Sequence, residues 1–419
     1  MNLFKSLTHL PFALLWGGQT TSRLGDNLYR IAMAWWVLEK TGSATAMGAV
    51  LVFTSVPMLF FLLVGGVVTD RYPRLWVMLI SDLLCGAVVA LVALLAYTGW
   101  LEVWHIYIAS IIFGLVKAFF IPAYTATVPE ITPKEMLPSA NSLTSLSQQG
   151  ATIIGPAAAA FIIAAGGTPI AFGLNALSFF ISAACILPIF WSNPQLKRAP
   201  LAALPETGNS PTPAQRGLRS VFADIREGYK AVIASPWLWI TIVILAAVNA
   251  TSRAPMSVSL PFLVKLNLHE EVGILSLFTS MTSAGFVVGA VWLGRFTKIR
   301  YRGPIAYTVT LLSGVWVAFF GFTNSIPILA TAVFLFGVCS SVFSLIWTNS
   351  LQELVPKYLL GRVSSIDALG SYVLLPVGYA ISGWATDLIG APLVFAIGGT
   401  MTILFALLGL LHPAIRGLD

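Results

Sequence analysis

Arg23, Asp26 and Arg30 lie within SRLGDNLYR, a short polar stretch enclosed by a mostly apolar run from Pro11 to Leu38. If that run is helical, the i,i+3 step from Arg23 to Asp26 and the i,i+4 step from Asp26 to Arg30 share one face. Ionisable groups inside a membrane-length run are costly, and they tend to face a bundle interior or a water-filled cavity. Two chemistries fit the triplet. One is an Arg–Asp–Arg ladder that neutralises itself within the helix, although two cations against one acid do not balance. The other is a proton-exchanging carboxylate, Asp26, with arginines that tune it or hold a ligand. Lys117, Asn249 and Arg253 occupy the middle of other apolar runs, while Asp82 and Asp367 fall nearer the run ends and are expected to pair with loop arginines.

Other chemistries find no support. There is no GxxxxGK[ST] phosphate loop, so the chain is not expected to hydrolyse nucleotide. Cys85, Cys185 and Cys339 sit in separate apolar runs without a CxxC pair, and the four histidines lie at run ends. No Ser/His/Asp set is visible either. An enzyme is not expected, nor is a metal site or a cofactor.

The elements that must position these groups are membrane helices. Of 419 residues 57% are hydrophobic and only 9% charged, whereas a soluble domain is about one-quarter charged. The apolar runs are long enough to cross a hydrocarbon core of about 30 Å, and too long for the alternating segments of a membrane β-barrel. Twelve spans are predicted, at 11–38, 44–68, 75–98, 103–126, 139–165, 168–191, 237–263, 271–294, 304–323, 326–349, 362–386 and 391–411. They group as a six-helix bundle over 1–191, a linker over 192–236 and a second six-helix bundle over 237–419. The linker is Pro-rich at first and then amphipathic, which reads as a flexible tether ending in a surface helix.

Seventeen of the 23 Lys and Arg fall on the side that holds the N-terminus, and only Lys40 and Lys265 on the other. The positive-inside rule then puts both termini and the linker in the cytoplasm. The formal charge of +7 reflects this loop bias rather than a nucleic-acid partner. Lys5 leads into a full span, so a cleaved signal peptide is not expected.

Between the second and third spans the chain reads GGVVTDRYPRLW, with Gly66, Asp70, Arg71 and Arg74. Gly66 suits a close helix approach, and Asp70 suits a latch onto a helix N-terminus or a basic partner. The fifth span holds SLSQQGATIIGPAAAAFII, where Gly150, Gly155 and Pro156 give a small-residue face and a kink. The first loop resembles the GxxxDRxGR signature of the major facilitator superfamily, with Pro73 where that family usually has Gly. The helix-5 motif is similar to the GP-containing motif of its proton-coupled drug exporters. With DNLYRIAMAWWVLEKTGSA, FFIPAYTATVPEITPKEMLPSANSL and LLGRVSSID, the whole chain resembles the macrolide-efflux and siderophore-exporter branch.

That resemblance implies an all-α integral membrane fold of two pseudo-symmetric six-helix bundles, with spans 1, 4, 7 and 10 around a central cavity. The cavity would be lined by Arg23, Asp26, Arg30, Lys117, Asn249, Arg253, Trp347 and Asn349. Aromatic rings at Trp16, Trp35, Trp36, Tyr124 and Trp347 would be able to stack on a bulky ligand. Gly66, Asp70, Arg71, Arg74 and Arg362 would form a cytoplasmic latch broken and remade during alternating access. The implied function is proton-driven export of amphipathic, drug- or macrolide-like molecules from a bacterial cell by a monomer in the inner or plasma membrane. The cation excess leaves a second reading open, an anionic or zwitterionic ligand such as a siderophore or lysophospholipid. A non-transporting receptor or a lipid scramblase on the same fold is the third.

Overall fold

A computed structural model describes residues 4–192, 218–296 and 300–419, with the side chains of residues 63, 67, 70, 191, 192 and 218–225 outside that description. Among the described residues every regular element is helical. This fits an apolar solvent: in hydrocarbon each backbone N–H and C=O must be satisfied by the protein itself, and a helix does so within a single segment.

In the first half, α1 (Leu10–Thr41), α2 (Ala44–Arg71), α3 (Arg74–Tyr97) and α4 (Val103–Ile131) follow one another through short turns. A longer helical stretch, Leu137–Ser192, divides at Gly167, whose φ of 78° and ψ of 176° a residue with a Cβ rarely adopts. That break separates α5 (137–166) from α6 (168–192), where the fifth and sixth spans were expected to part. The second half opens with α7 (Leu218–Ala234), the amphipathic end of the linker. Residues 193–217, the Pro-rich part of that predicted tether, lie outside the described residues.

The seventh predicted span becomes α8 (236–267), regular at first and then interrupted by π-helical turns at Asn249–Arg253 and Leu263–Asn267. Prolines at 255 and 261 withhold N–H groups from the ladder here, so the turns re-register around them. There follow α9 (Val272–Leu293), α10 (Arg302–Phe319), α11 (Ile326–Leu354), α12 (Lys357–Tyr372), α13 (Leu375–Ile389) and α14 (Ala391–Leu411). Helices α12 and α13 together cover the eleventh predicted span.

Each predicted span thus carries a helix, and among the described residues nine stretches are long and apolar enough to cross a membrane. Helix α1 is not one of the nine despite its 32 residues, because Gln19, Arg23, Asp26, Asn27 and Arg30 make it too polar.

By contacts the chain forms two compact units. One holds residues through Lys40 and from Phe53 through α6; the other holds Thr41–Val52 and everything from α7 onward. The core of the first unit includes Phe12, Leu15, Met78, Tyr124, Leu143 and Ile186, contributed by α1, α3, α4, α5 and α6. In the second unit Val232 of α7 packs with Leu238, Trp347 and Val363, which docks the linker helix against α8, α11 and α12.

Candidate functional site

In the first unit, small residues set the position of α1. A Cβ on Gly25 would lie 2.1 Å from Ser178 Oγ and 2.5 Å from Asn175 Oδ1, both on α6. On the other flank a Cβ on Gly155 of α5 would meet Asn27 Cβ at 2.5 Å. Asp26 is therefore held between two glycine-dependent contacts, one of them provided by the helix-5 motif. Gly150 has no such role, since a Cβ there would meet nothing within 4 Å.

Lys117 of α4 places Nζ 3.8 Å from Asp26 Oδ2. The Lys117 and Asp26 side chains are 42% and 34% exposed, so this is a loose pair open to its surroundings. Exposed ion pairs of this kind contribute about 0–1 kcal/mol. Lys117 Nζ also stands 6.0 Å from the Phe113 ring centroid.

The arginines do not close the ladder that the spacing suggested. Arg23 donates through Nη1 to the Thr144 carbonyl at 3.2 Å and to Ser147 Oγ at 3.4 Å, both on α5, and its guanidinium lies 5.0 Å from the Tyr124 ring centroid. It makes no ion pair with Asp26 among the described residues. Arg30 donates through Nη2 to Asn27 Oδ1 at 2.8 Å, and Asn27 donates back to the Arg23 carbonyl at 2.8 Å. The face is shared, but Asp26 finds its cation on another helix.

The aromatic rings are mostly engaged in packing. Trp16 Nε1 donates to the Leu143 carbonyl at 3.2 Å, and buried Trp35 donates to Glu39 Oε1 at 2.7 Å. Trp36 is half-buried.

Arg74 sits at the start of α3 and pairs with Glu130 Oε2 of α4 at 3.1 Å. Arg71 is exposed. The close approach expected of Gly66 falls one residue earlier: a Cβ on Gly65 would lie 2.0 Å from the Ala118 carbonyl oxygen, whereas one on Gly66 would meet nothing within 4 Å. The Asp70 side chain lies outside the described residues.

Asp82 corrects an expectation. It is buried and meets no loop arginine among the described residues; Ser182 Oγ donates to its Oδ2 at 2.7 Å and Gln19 Nε2 at 3.3 Å. Asp367, in the second unit, likewise accepts from Trp347 Nε1 at 3.1 Å and Ser371 Oγ at 3.2 Å instead of from a loop arginine.

In the second unit the named residues divide by exposure. Asn249 is buried, and its amide donates to the Ser371 carbonyl at 2.9 Å, which ties the π-helical turn of α8 to α12. Arg253 ends the same turn, is exposed, and reaches Tyr372 Oη at 3.5 Å. Trp347 is buried against Phe343 and Trp237. Asn349 is exposed. Arg362, expected in the latch, pairs with Glu227 of the linker helix, and a Cβ on Gly228 next to it would meet Arg362 Cβ at 3.0 Å.

Two features escaped the sequence. The Asp82–Gln19–Ser182 cluster left one signal, since Gln19 and Asp26 are seven residues apart and share a face of α1. The other is Asp387 of α13, which accepts the N–H groups of Ala44 and Thr45 at 2.6 and 2.9 Å and the Ser43 hydroxyl at 2.8 Å. It caps the start of α2, which explains why Thr41–Val52 belongs to the second unit.

Known proteins give this geometry a context. Residues 15–374 and 244–416 match the family profile described as Major Facilitator Superfamily. Macrolide efflux protein A of Streptococcus pyogenes is 22% identical over 418 residues, covering 98% of each chain. The enterobactin exporter of Citrobacter koseri is 25% identical over 414 residues, covering 95% of this chain and 94% of its own. Among solved structures, a POT family transporter in complex with a thioalcohol-conjugated peptide superposes with a TM-score of 0.71 over 95% of each chain at 12% identity, which shows the fold.

Proposed function

We propose that this chain, which belongs to the Major Facilitator Superfamily, is a secondary active exporter of amphipathic organic molecules driven by inward proton movement. It is a multi-pass helical membrane protein. In this reading all twelve predicted helical spans cross the bacterial inner or plasma membrane, both termini and the linker are cytoplasmic, and a monomer carries the whole transport path. Relatives that carry the names macrolide efflux protein and enterobactin exporter support export over uptake.

The Asp26–Lys117 pair carries the proposal. A carboxylate on a charged transmembrane helix, 3.8 Å from an ammonium and a third exposed, can exchange its cation partner for a proton. Protonation of Asp26 releases Lys117, and deprotonation recaptures it. The switch alters charge in the transport path and couples occupancy to alternating access. Arg23 and Arg30, anchored on neighbouring groups of the first unit, shape the local field, while Arg253 and Asn349 offer exposed polar groups for ligand in the second. The chain acts without a catalytic step of its own.

A second reading rests on a specific observation. Arg23, Arg30, Lys117 and Arg253 outnumber Asp26 among the mid-span charges. That balance suits an anionic or zwitterionic amphiphile, such as a siderophore or lysophospholipid, better than a cationic drug.

Transport in proteoliposomes under an imposed pH gradient tests both readings, with a macrolide, a cationic dye, a catecholate siderophore and a lysophospholipid as ligands. Gradient-driven accumulation is expected, and Asp26→Asn should exchange ligand without concentrating it. A mutant that concentrates ligand normally refutes the role given to Asp26. Ligand flux indifferent to the gradient in the wild type refutes proton coupling.

A further inference from the structure

Three helices of the first unit meet at a buried carboxylate. Asp82 of α3 is 2% exposed, Gln19 of α1 3% and Ser182 of α6 0%. Gln19 Nε2 donates to Ser182 Oγ at 2.7 Å and to Asp82 Oδ2 at 3.3 Å, and Ser182 Oγ donates to the same Oδ2 at 2.7 Å. The contact depends on Gly18, because a Cβ there would lie 3.1 Å from Ser182 Cα and 2.9 Å from Cys185 Cβ.

The cluster contains no cation. No Lys, Arg or His lies within ion-pairing distance of Asp82 among the described residues. Cys85 lies one turn away on α3 and Cys185 one turn from Ser182 on α6. On α1, Arg23 turns to Thr144 and Ser147 of α5, and Asp26 lies two turns or about 10 Å along the helix from Gln19. From α4, Lys117 is engaged with Asp26. An isolated carboxylate buried so fully needs a cation, a full set of donors, or a proton. Here both donors converge on one oxygen, an arrangement the carbonyl oxygen of a neutral acid accepts readily. Among the described residues Oδ1 receives no donor.

We infer that Asp82, in its buried ring with Gln19 and Ser182, is a second proton-binding site of the transport cycle, working in series with Asp26. This rests on the proton-coupled reading above. A proton taken up at Asp26, the more open of the two, passes towards α3. It forms an O–H bond on Asp82, takes that carboxylate from −1 to 0, and leaves Asp26 charged to hold Lys117. Movement of α1 against α3 and α6 withdraws Gln19 and admits water, and the proton leaves.

Infrared difference spectroscopy of the full-length protein in lipid tests the site apart from transport. At neutral pH the wild type and Asp26→Asn should both show a carboxylic acid C=O band that Asp82→Asn lacks. In proteoliposomes Asp82→Asn should keep equilibrium exchange, which also reports its folding, and lose at least tenfold in gradient-driven accumulation. Asp82→Glu, which retains a carboxyl, should keep the band and part of the accumulation. A wild-type spectrum without the band, a band untouched by Asp82→Asn, or full accumulation in that mutant overturns the proposal. If the band assigns to Asp82 while wild-type transport ignores the gradient, the binding site stands and the coupled function fails.

Discussion

Lys117 Nζ stands 3.8 Å from Oδ2 of Asp26, across the gap between α4 and α1 in the first unit. Both groups are a third or more exposed, so the pair adds little to stability. A double-mutant cycle separates a structural from a transport role. Lys117→Gln and Asp26→Asn should each shift the thermal midpoint by an amount equivalent to less than about 1 kcal/mol. Each should lower gradient-driven accumulation at least tenfold, and the double mutant should fall no further than the worse single mutant. Additive losses in transport would show that the two residues act independently.

Two glycines of the helix-5 motif should respond in opposite ways. A Cβ at Gly155 runs into Asn27 at 2.5 Å, whereas Gly150 opens on free space. Gly155→Val should destabilise by about 1–3 kcal/mol through overpacking and move α1 at the residue beside Asp26. Gly150→Ala should be neutral or stabilise by up to about 1 kcal/mol, because it removes backbone freedom from the unfolded chain. Thermal melts of the purified variants check both. Equal tolerance at the two positions would remove Gly155 from the site's support.

The same contrast falls on adjacent residues of α2. Gly65 faces the Ala118 carbonyl, one residue from Lys117, while Gly66 faces nothing within 4 Å. Gly65→Ala should force α2 from α4 and weaken both folding and accumulation, with Gly66→Ala close to wild type in the melt. Loss of transport in Gly66→Ala with an unchanged melt would instead assign that glycine to a conformation other than the one described.

The helices and their order were legible because hydrocarbon admits few backbone solutions: apolar runs of membrane length became helices, and the break at Gly167 fell between two predicted spans. The mid-span charges were legible as well, since no packing argument accounts for Arg23, Asp26 and Arg30 in one run. Their partners were not. Asp26 meets Lys117 from a helix distant in sequence, and Arg23 turns to α5 and Tyr124, because side-chain pairing depends on helix rotation and crossing. A one-dimensional pattern does not fix either. The same limit moved the close approach from Gly66 to Gly65, a rotation of about 100° around the helix. Glu227 was unreadable as the partner of Arg362, since only tertiary docking brings the linker helix to α12.

Trp347 was expected in the ligand cavity, yet it is buried and its indole N–H donates to Asp367 Oδ2 at 3.1 Å. Trp347→Phe keeps most of the apolar area and removes that donor from a half-buried carboxylate. It should lower stability by about 1–3 kcal/mol and leave the ligand affinity of the surviving folded protein unchanged. A fall in affinity without a fall in melting temperature would return Trp347 to the binding surface.

Asp387 meets a demand that the start of a helix always creates. The first N–H groups of α2 have no partner within the helix. Asp387 accepts those of Ala44 and Thr45, Ser43 Oγ accepts that of Ala46 at 3.3 Å, and the Ser43 carbonyl accepts that of Met47 at 3.4 Å. Small residues keep α2 and α13 close enough for this, because a Cβ on Gly383 would stand 2.5 Å from the Ala44 carbonyl oxygen. Asp387→Ala strips two backbone donors and a hydroxyl of their acceptor, a loss of about 0.5–2 kcal/mol by analogy with other helix caps. The thermal midpoint should fall accordingly, and a cysteine at Thr45 should react faster with a water-soluble maleimide. Asp387→Asn retains one acceptor oxygen and should fall between the two. If neither melting nor labelling changes in Asp387→Ala, the first turns of α2 are held by the glycine contacts and Ser43, and the carboxylate contributes nothing to their docking.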